Sequence, residues 1–247
     1  MATESKIEWT EMTWNPTTGC TKISSGCKNC YAEKMACRLR AMGTPGYENG
    51  FELTLLPNRL EEPLKRKKPT VYFVNSMSDL FHEDIPFSFI DHVFETIQRS
   101  NWHTFQILTK RAKRMALYFA QRPVPENAWL GVTVENKKHG LPRIDYLRTI
   151  NAKIRFLSME PLLEDIGKFD LQHIHWVIVG GESGPNARPM KAEWVEAIQD
   201  QCAKQKVAFF FKQWGGWGAD GKRRTKKNNG RELKGRIFNE MPVISLP

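Results

Sequence analysis

From residue 71 onward the chain carries six short apolar runs, spaced about 20–35 residues apart. They are Val71–Val74, Phe105–Leu108, Trp129–Val134, Ile154–Leu157, Trp176–Val179 and Val207–Phe211. Each is nearly continuous in apolar residues rather than alternating. That pattern belongs to strands covered on both faces, as in a parallel sheet. Helical periodicity fills the gaps. Phe87, Ile90, Phe94 and Ile97 recur at spacings of three and four between Phe87 and Arg99, with Pro86 suited to a helix start. Trp194, Val195, Ile198 and Cys202 do the same between Ala192 and Lys204.

Before residue 70, Glu8-Trp9-Thr10 and Thr13-Trp14-Asn15 read as one further strand, and Tyr31 to Met42 as a helix ended by Gly43. About seven βα-like units result. The simplest architecture is an α/β fold of one domain over residues 1–247, a single (β/α) barrel, complete or partial. A doubly wound open sheet is the runner-up. Residues 215–236, rich in glycine and basic side chains, read as a mobile or irregular excursion within that domain.

At 247 residues the chain can bury a full core. Its 40% hydrophobic and 26% charged content is ordinary for a globular protein. No apolar run of about 18 residues predicts a membrane span, and no secretory signal stands at residues 1–8. A cytoplasmic location follows, where thiols stay reduced.

Cys20, Cys27 and Cys30 form a C-x6-C-x2-C cluster after the first expected strand, flanked by Gly19 and Gly26. Cys37 and Cys202 read instead as small core residues. A structural zinc needs four ligands. Cys37 stands about 10 Å along a helix from Cys30, far for one ion, and the nearest histidine is His82. A four-iron four-sulfur cluster suits three thiolates better, because its fourth iron stays open to an external ligand. A helix starting near Lys28 would aim its N-terminal amides at that negative charge.

Function in parallel α/β folds gathers at the carboxyl ends of strands. Those ends carry Asn15, then Ser76 and Asp79, then Lys110, then Glu160, then Glu182, and finally Lys212 and Gln213. Gly180-Gly181-Glu182-Ser183-Gly184 lacks the order of a nucleotide phosphate loop. It suggests instead a close approach of backbone to a ligand. Gly-x-Ser-x-Gly and His-Glu-x-x-His are absent, so a hydrolase has support only from the carboxylates Glu160 and Glu182.

Trp14-Asn15-Pro16-Thr17-Thr18-Gly19-Cys20, Gly26-Cys27-Lys28-Asn29-Cys30-Tyr31-Ala32 and Lys212-Gln213-Trp214-Gly215 carry a resemblance. With the cysteine loop and the barrel order, the chain resembles the radical S-adenosylmethionine enzymes. More narrowly it is similar to the uncharacterised phage-associated three-Cys-motif proteins of that type. The usual radical loop is C-x3-C-x2-C, whereas the first gap here is six residues. The Gly-Gly-Glu of such enzymes follows the second strand, so its role is not transferred to Gly180-Gly181-Glu182.

The resemblance implies that Cys20, Cys27 and Cys30 bind a [4Fe-4S] cluster and that S-adenosylmethionine chelates the open iron. Reductive cleavage then gives a 5′-deoxyadenosyl radical. Lys110, Glu160 and Glu182 are the catalytic candidates. Asn15, Ser76, Asp79 and Gln213 are the cofactor-binding ones. An external reductant such as a flavodoxin or ferredoxin is implied as a partner.

The formal net charge is +10, and residues 222–236 hold eight lysines and arginines against one glutamate. Lys65-Arg66-Lys67-Lys68 forms a second basic run. Such runs suit a polyanion. Lys222, Arg223, Arg224, Lys226 and Lys227 are therefore candidate nucleic-acid contacts, with Trp214 and Trp217 placed to stack on bases. The expected substrate is a nucleic-acid base or a nucleotide. The alternative is a non-catalytic nucleic-acid-binding protein with a structural zinc or iron–sulfur site.

Overall fold

The structure is a computed structural model that describes residues 3–5 and 7–243. The expectation that Arg231 to Pro247 returns to the barrel falls partly on 244–247, which lie outside the described residues, as do 1, 2 and 6. The chain divides into two compact units, Met1–Gly131 with Thr149–Lys153, and Val132–Arg148 with Ile154–Pro247.

In the first unit, β1 (Thr3–Glu4) pairs antiparallel with β2 (Met12–Trp14). A separate antiparallel pair joins β3 (Thr17–Thr18) to β4 (Thr54–Leu55), with α1 (Tyr31–Ala41) between them in sequence. Then come β5 (Val71–Val74), α2 (Phe87–Arg99), β6 (Thr104–Thr109) and α3 (Ala112–Phe119). β2, β5 and β6 run parallel in that order, Trp14 opposite Val74 and Val74 opposite Ile107. β7 (Ala128–Thr133) follows and is divided between the units.

The second unit contains α4 (Lys137–Arg148), β8 (Ile154–Met159), β9 (Trp176–Gly180), α5 (Ala192–Lys204), β10 (Ala208–Gln213) and the short α6 (Lys226–Asn229). β8, β9 and β10 are parallel neighbours. The fold is α/β with a mostly parallel sheet. Among the described residues no strand pairing closes a barrel: β1 pairs with β2 and β10 with β9.

Burial accounts for the apolar runs. All five residues of β9 are buried, as a strand covered on both faces requires. In the first unit Trp14, Tyr72 and Phe105 form an aromatic cluster, with Trp14 edge-on to Phe105 and Tyr72 stacked on Phe105 at 5.4 Å. α2 buries Phe89, Ile90, Val93, Phe94 and Ile97, and Phe94 meets Phe119 of α3 edge-on at 5.0 Å. In the second unit Val195, Ile198 and Cys202 form the buried stripe of α5.

Several expectations need correction. Glu8-Trp9-Thr10 is a turn whose Trp9 packs edge-on to Phe73, not part of a strand. Cys202 is core but Cys37 is exposed, because α1 buries Ala32 and Ala36, and Cys37 falls one position off that stripe. Residues 215–236 are mostly turns and isolated bridges around the short α6, and several contacts brace them. Trp214 Nε1 donates to Glu232 O at 2.8 Å, Asn229 Nδ2 donates to Gly215 O at 2.9 Å, and Leu233 is buried.

Candidate metal centre and strand-end clusters

The cysteine loop follows β3, just beyond the first parallel strand, β2. Gly19 opens it with φ +79, and a Cβ there would lie 2.1 Å from Glu52 O, so no larger residue fits. Gly19 N donates to Met77 O and Cys20 N to Phe51 O, both at 3.1 Å. Cys27 ends a 3-10 turn, Ser25–Cys27. Cys30 is the residue that caps α1, so the helix begins at Tyr31 rather than near Lys28. Cys30 also packs with Leu39 and Phe51 against Ala32, Ala36, Tyr47 and Met77.

All three thiols are free and partly buried. Burial, reinforced by the Asp79 charge, pushes the Cys20 thiol up to about 11, against the pull of Arg111. Burial also acts upward on Cys27. There the Lys110 charge and hydrogen bonds from Ile23 and Ser24 outweigh it and leave the thiol below its ordinary value. Among the described residues no three His, Cys, Asp or Glu side chains converge closely enough to hold a metal ion.

Around this loop the first-unit candidates hold one another. Asn15 Oδ1 accepts from Met77 N at 3.0 Å and from Ser76 Oγ at 3.1 Å. Buried Asp79 accepts from Thr109 Oγ1 at 2.6 Å, Lys110 N at 3.0 Å, Phe81 N at 3.1 Å and Arg111 Nη1 at 3.1 Å. Asp79 therefore joins the ends of β5 and β6. Lys110 reaches Cys27 through its charge.

In the second unit Lys212 Nζ donates to both Glu160 oxygens, at 2.7 and 2.8 Å. Gln213 Nε2 lies 3.4 Å from Glu160 Oε1 and from Gly181 O. Both neighbours are acceptors, which fixes the amide orientation and leaves the buried Oε1 without a partner. Glu182 is held separately. Arg188 donates to it from Nε at 2.9 Å, from Nη2 at 2.5 Å and from its backbone N at 2.9 Å. Each carboxylate thus has its own cation.

The close approach expected at Gly180–Gly184 is to the chain itself. A Cβ on Gly181 would lie 2.0 Å from Trp214 O, and one on Gly215 would lie 2.2 Å from Glu182 O. Trp214 is core, not a base-stacking platform, and Trp217 Nε1 donates to Ala187 O at 2.7 Å. Lys222, Arg223, Arg224, Lys226 and Lys227 are exposed. Among them Arg224 is paired with Asp220 at 2.6 Å.

A family model matches residues 4–242, nearly the whole chain. The chain belongs to the family "Protein of unknown function (DUF5131)". Among curated proteins none matches this DUF5131 member. Among solved structures it is similar to a spore photoproduct lyase mutant with bound AdoMet and dinucleoside spore photoproduct. The identity is 12% and the TM-score 0.47, over 83% of this chain and 64% of that one. A second spore photoproduct lyase structure, complexed with the dinucleoside, gives 13% and 0.44 over the same shares. The DUF5131 chain therefore spans about two thirds of that enzyme's length, and no residue role is taken from so distant a likeness.

Sequence reasoning missed that Arg111 and His82 both reach Thr21 on the cysteine loop of this DUF5131 protein, with Glu83 bracing Arg111. Arg111 carried a signal as the residue after a strand-end lysine, and His82 as the histidine nearest the cysteines.

Proposed function

We propose that the chain is a radical S-adenosylmethionine-type iron–sulfur enzyme acting on a nucleic-acid base or a nucleotide. The observation that carries this reading is the C-x6-C-x2-C loop, with three free, half-buried thiols between β3 and the start of α1. A single zinc would need its ligands gathered round one centre. A cluster gives each thiolate its own iron, so the cysteines suit it without converging on a point. Bound with S-adenosylmethionine, a [4Fe-4S] cluster supplies hydrogen-atom abstraction.

The chain's own residues have distinct parts in this reading. Cys20, Cys27 and Cys30 are the iron ligands. The first amides of α1, just past Cys30, and the Lys110 charge beside Cys27 favour negative charge there. Asn15, Ser76 and Asp79 brace the strand ends behind the loop. Glu160, Lys212 and Gln213 present a polar cluster at the ends of β8 and β10, and the Gln213 Oε1 acceptor is open to an N–H donor. Glu182 supports the turn after β9 through Arg188. Lys222, Arg223, Lys226 and Lys227 offer charge to phosphates. A flavodoxin or ferredoxin supplies the electron. The finer resemblance, to phage-associated three-Cys-motif proteins, belongs to this proposal as well.

Anaerobic reconstitution with iron and sulfide tests it. The expected result is a brown protein with about four iron and four sulfide per chain that turns S-adenosylmethionine into 5′-deoxyadenosine when reduced. A colourless protein carrying one tight zinc would overturn the reading and leave a nucleic-acid-binding protein with a structural metal.

A further inference from the structure

We infer that Arg111 is a positioning residue for the cysteine loop, holding Cys20 and Thr21 in place for metal ligation. This rests on the iron–sulfur reading above and assigns a residue it does not contain.

Arg111 follows β6 and its side chain is only 3% exposed. Its guanidinium has five N–H donors, and five contacts receive them. Nε donates to Glu83 Oε2 at 2.6 Å. Nη1 donates to Asp79 Oδ2 at 3.1 Å and to Cys20 Sγ at 3.5 Å. Nη2 donates to Thr21 Oγ1 at 2.9 Å and to Thr21 O at 3.3 Å. Three of the five contacts are on the cysteine loop. The other two fix the fork in its plane against carboxylates that follow β5.

A second tie reaches the same point. His82 Nδ1 accepts from Asp84 N at 3.2 Å, so its Nε2 carries the proton and donates to Thr21 Oγ1 at 2.8 Å. Thr21 is thereby clamped between Arg111 and His82. No lysine could serve all these partners, because an ammonium has three donors on a flexible stem and no planar fork. The placement resembles the outer partners that orient metal ligands. An N–H directed at a ligand sulfur also raises a cluster's reduction potential.

Two variants test this in the full chain. Thr21→Val keeps the Arg111 charge and removes the doubly clamped hydroxyl, so thiol reactivity in metal-free protein reports loop freedom. Cys20 should be alkylated faster than in wild type, with buried Cys202 unchanged as the control for unfolding. Arg111→Lys, reconstituted with iron and sulfide, should lose iron to a chelator about 10–100-fold more readily, and its midpoint potential should fall. Unchanged Cys20 reactivity in Thr21→Val overturns the inference. So does an Arg111→Lys protein with wild-type iron retention and midpoint. A wild-type chain that takes up no iron, while Thr21→Val still frees Cys20, supports the positioning role and sinks the iron–sulfur reading instead.

Discussion

The Lys212 ammonium grips both oxygens of Glu160 across the end of β9, at 2.7 and 2.8 Å. The strand between them ends in Gly180, where a Cβ would come within 3.3 Å of the Glu160 carboxyl carbon. The missing side chain gives the glutamate room to reach over. Both partners are mostly buried, at 12% and 21% exposure, so breaking the pair strands a charge. Lys212→Met should cost about 2 kcal/mol, and adding Glu160→Gln should recover much of it. Urea unfolding of the two single variants and the double one measures the coupling. Strictly additive losses would mean the two groups act independently.

The turns after β9 and β10 touch backbone to backbone. Gly215 has φ +80 and no space for a Cβ, whereas Gly221 has φ +70 with nothing within 4 Å. The two glycines separate conformational strain from collision. Gly221→Ala should cost about 1 kcal/mol, the left-handed penalty alone. Gly215→Ala should cost clearly more, because Glu182 O must also move. Equal losses in thermal unfolding would show that the collision is relieved at no cost.

β5 to β10 were legible because they are largely buried on both faces, so each reads as a nearly unbroken apolar run. α2 and α5 were legible because each buries one stripe at helical spacing. α4 was hidden by its own packing. Gly140 is required because a Cβ would lie 2.6 Å from Val134 Cγ1, and Pro142 stands inside the helix, where it reads as a breaker. The cysteine loop was legible from spacing alone. Its Arg111 clamp was not, since Thr21, Asp79 and Glu83 come from segments far apart in sequence and meet only in the fold.

The cysteines should differ in reactivity before any metal is added. The thiolate is the reacting form. Cys27 sits below its ordinary value, so near pH 8 it carries more thiolate than Cys20, whose thiol is pushed up to about 11. Cys27 should therefore be alkylated ahead of Cys20 at pH 8. Cys20 should gain with rising pH and reach half its full rate only near pH 11. Mass spectrometry of timed alkylation at several pH values gives the order. Cys20 leading at pH 8 would mean that Arg111 outweighs burial and Asp79.

Cys27→Ala should abolish iron uptake while leaving the fold intact, because the residue ends an exposed-edge 3-10 turn and packs into no part of the aromatic core. Iron analysis and circular dichroism after reconstitution check the two halves. Wild-type iron content in this variant would remove Cys27 from the ligand set.

The basic segment makes a graded prediction. Lys222, Arg223, Lys226 and Lys227 are exposed on the segment that Trp214 and Asn229 anchor, the last two in α6. Arg224 is different. It donates to Asp220 at 2.6 and 2.8 Å, and that hydrogen bond holds the Asp220 carboxyl well below its usual range. A cation already facing a carboxylate has less to give a phosphate. Replacing Lys222, Arg223, Lys226 and Lys227 by glutamine should flatten the salt dependence of single-stranded nucleic-acid binding by about 0.7 in slope per lost phosphate contact. Arg224→Gln should change the slope less than Arg223→Gln or Lys227→Gln. Titrations at several salt concentrations read both effects. A slope that the fourfold replacement leaves unchanged would remove the segment from the nucleic-acid surface. A slope that falls most with Arg224→Gln would show that the Asp220 pair opens to the ligand.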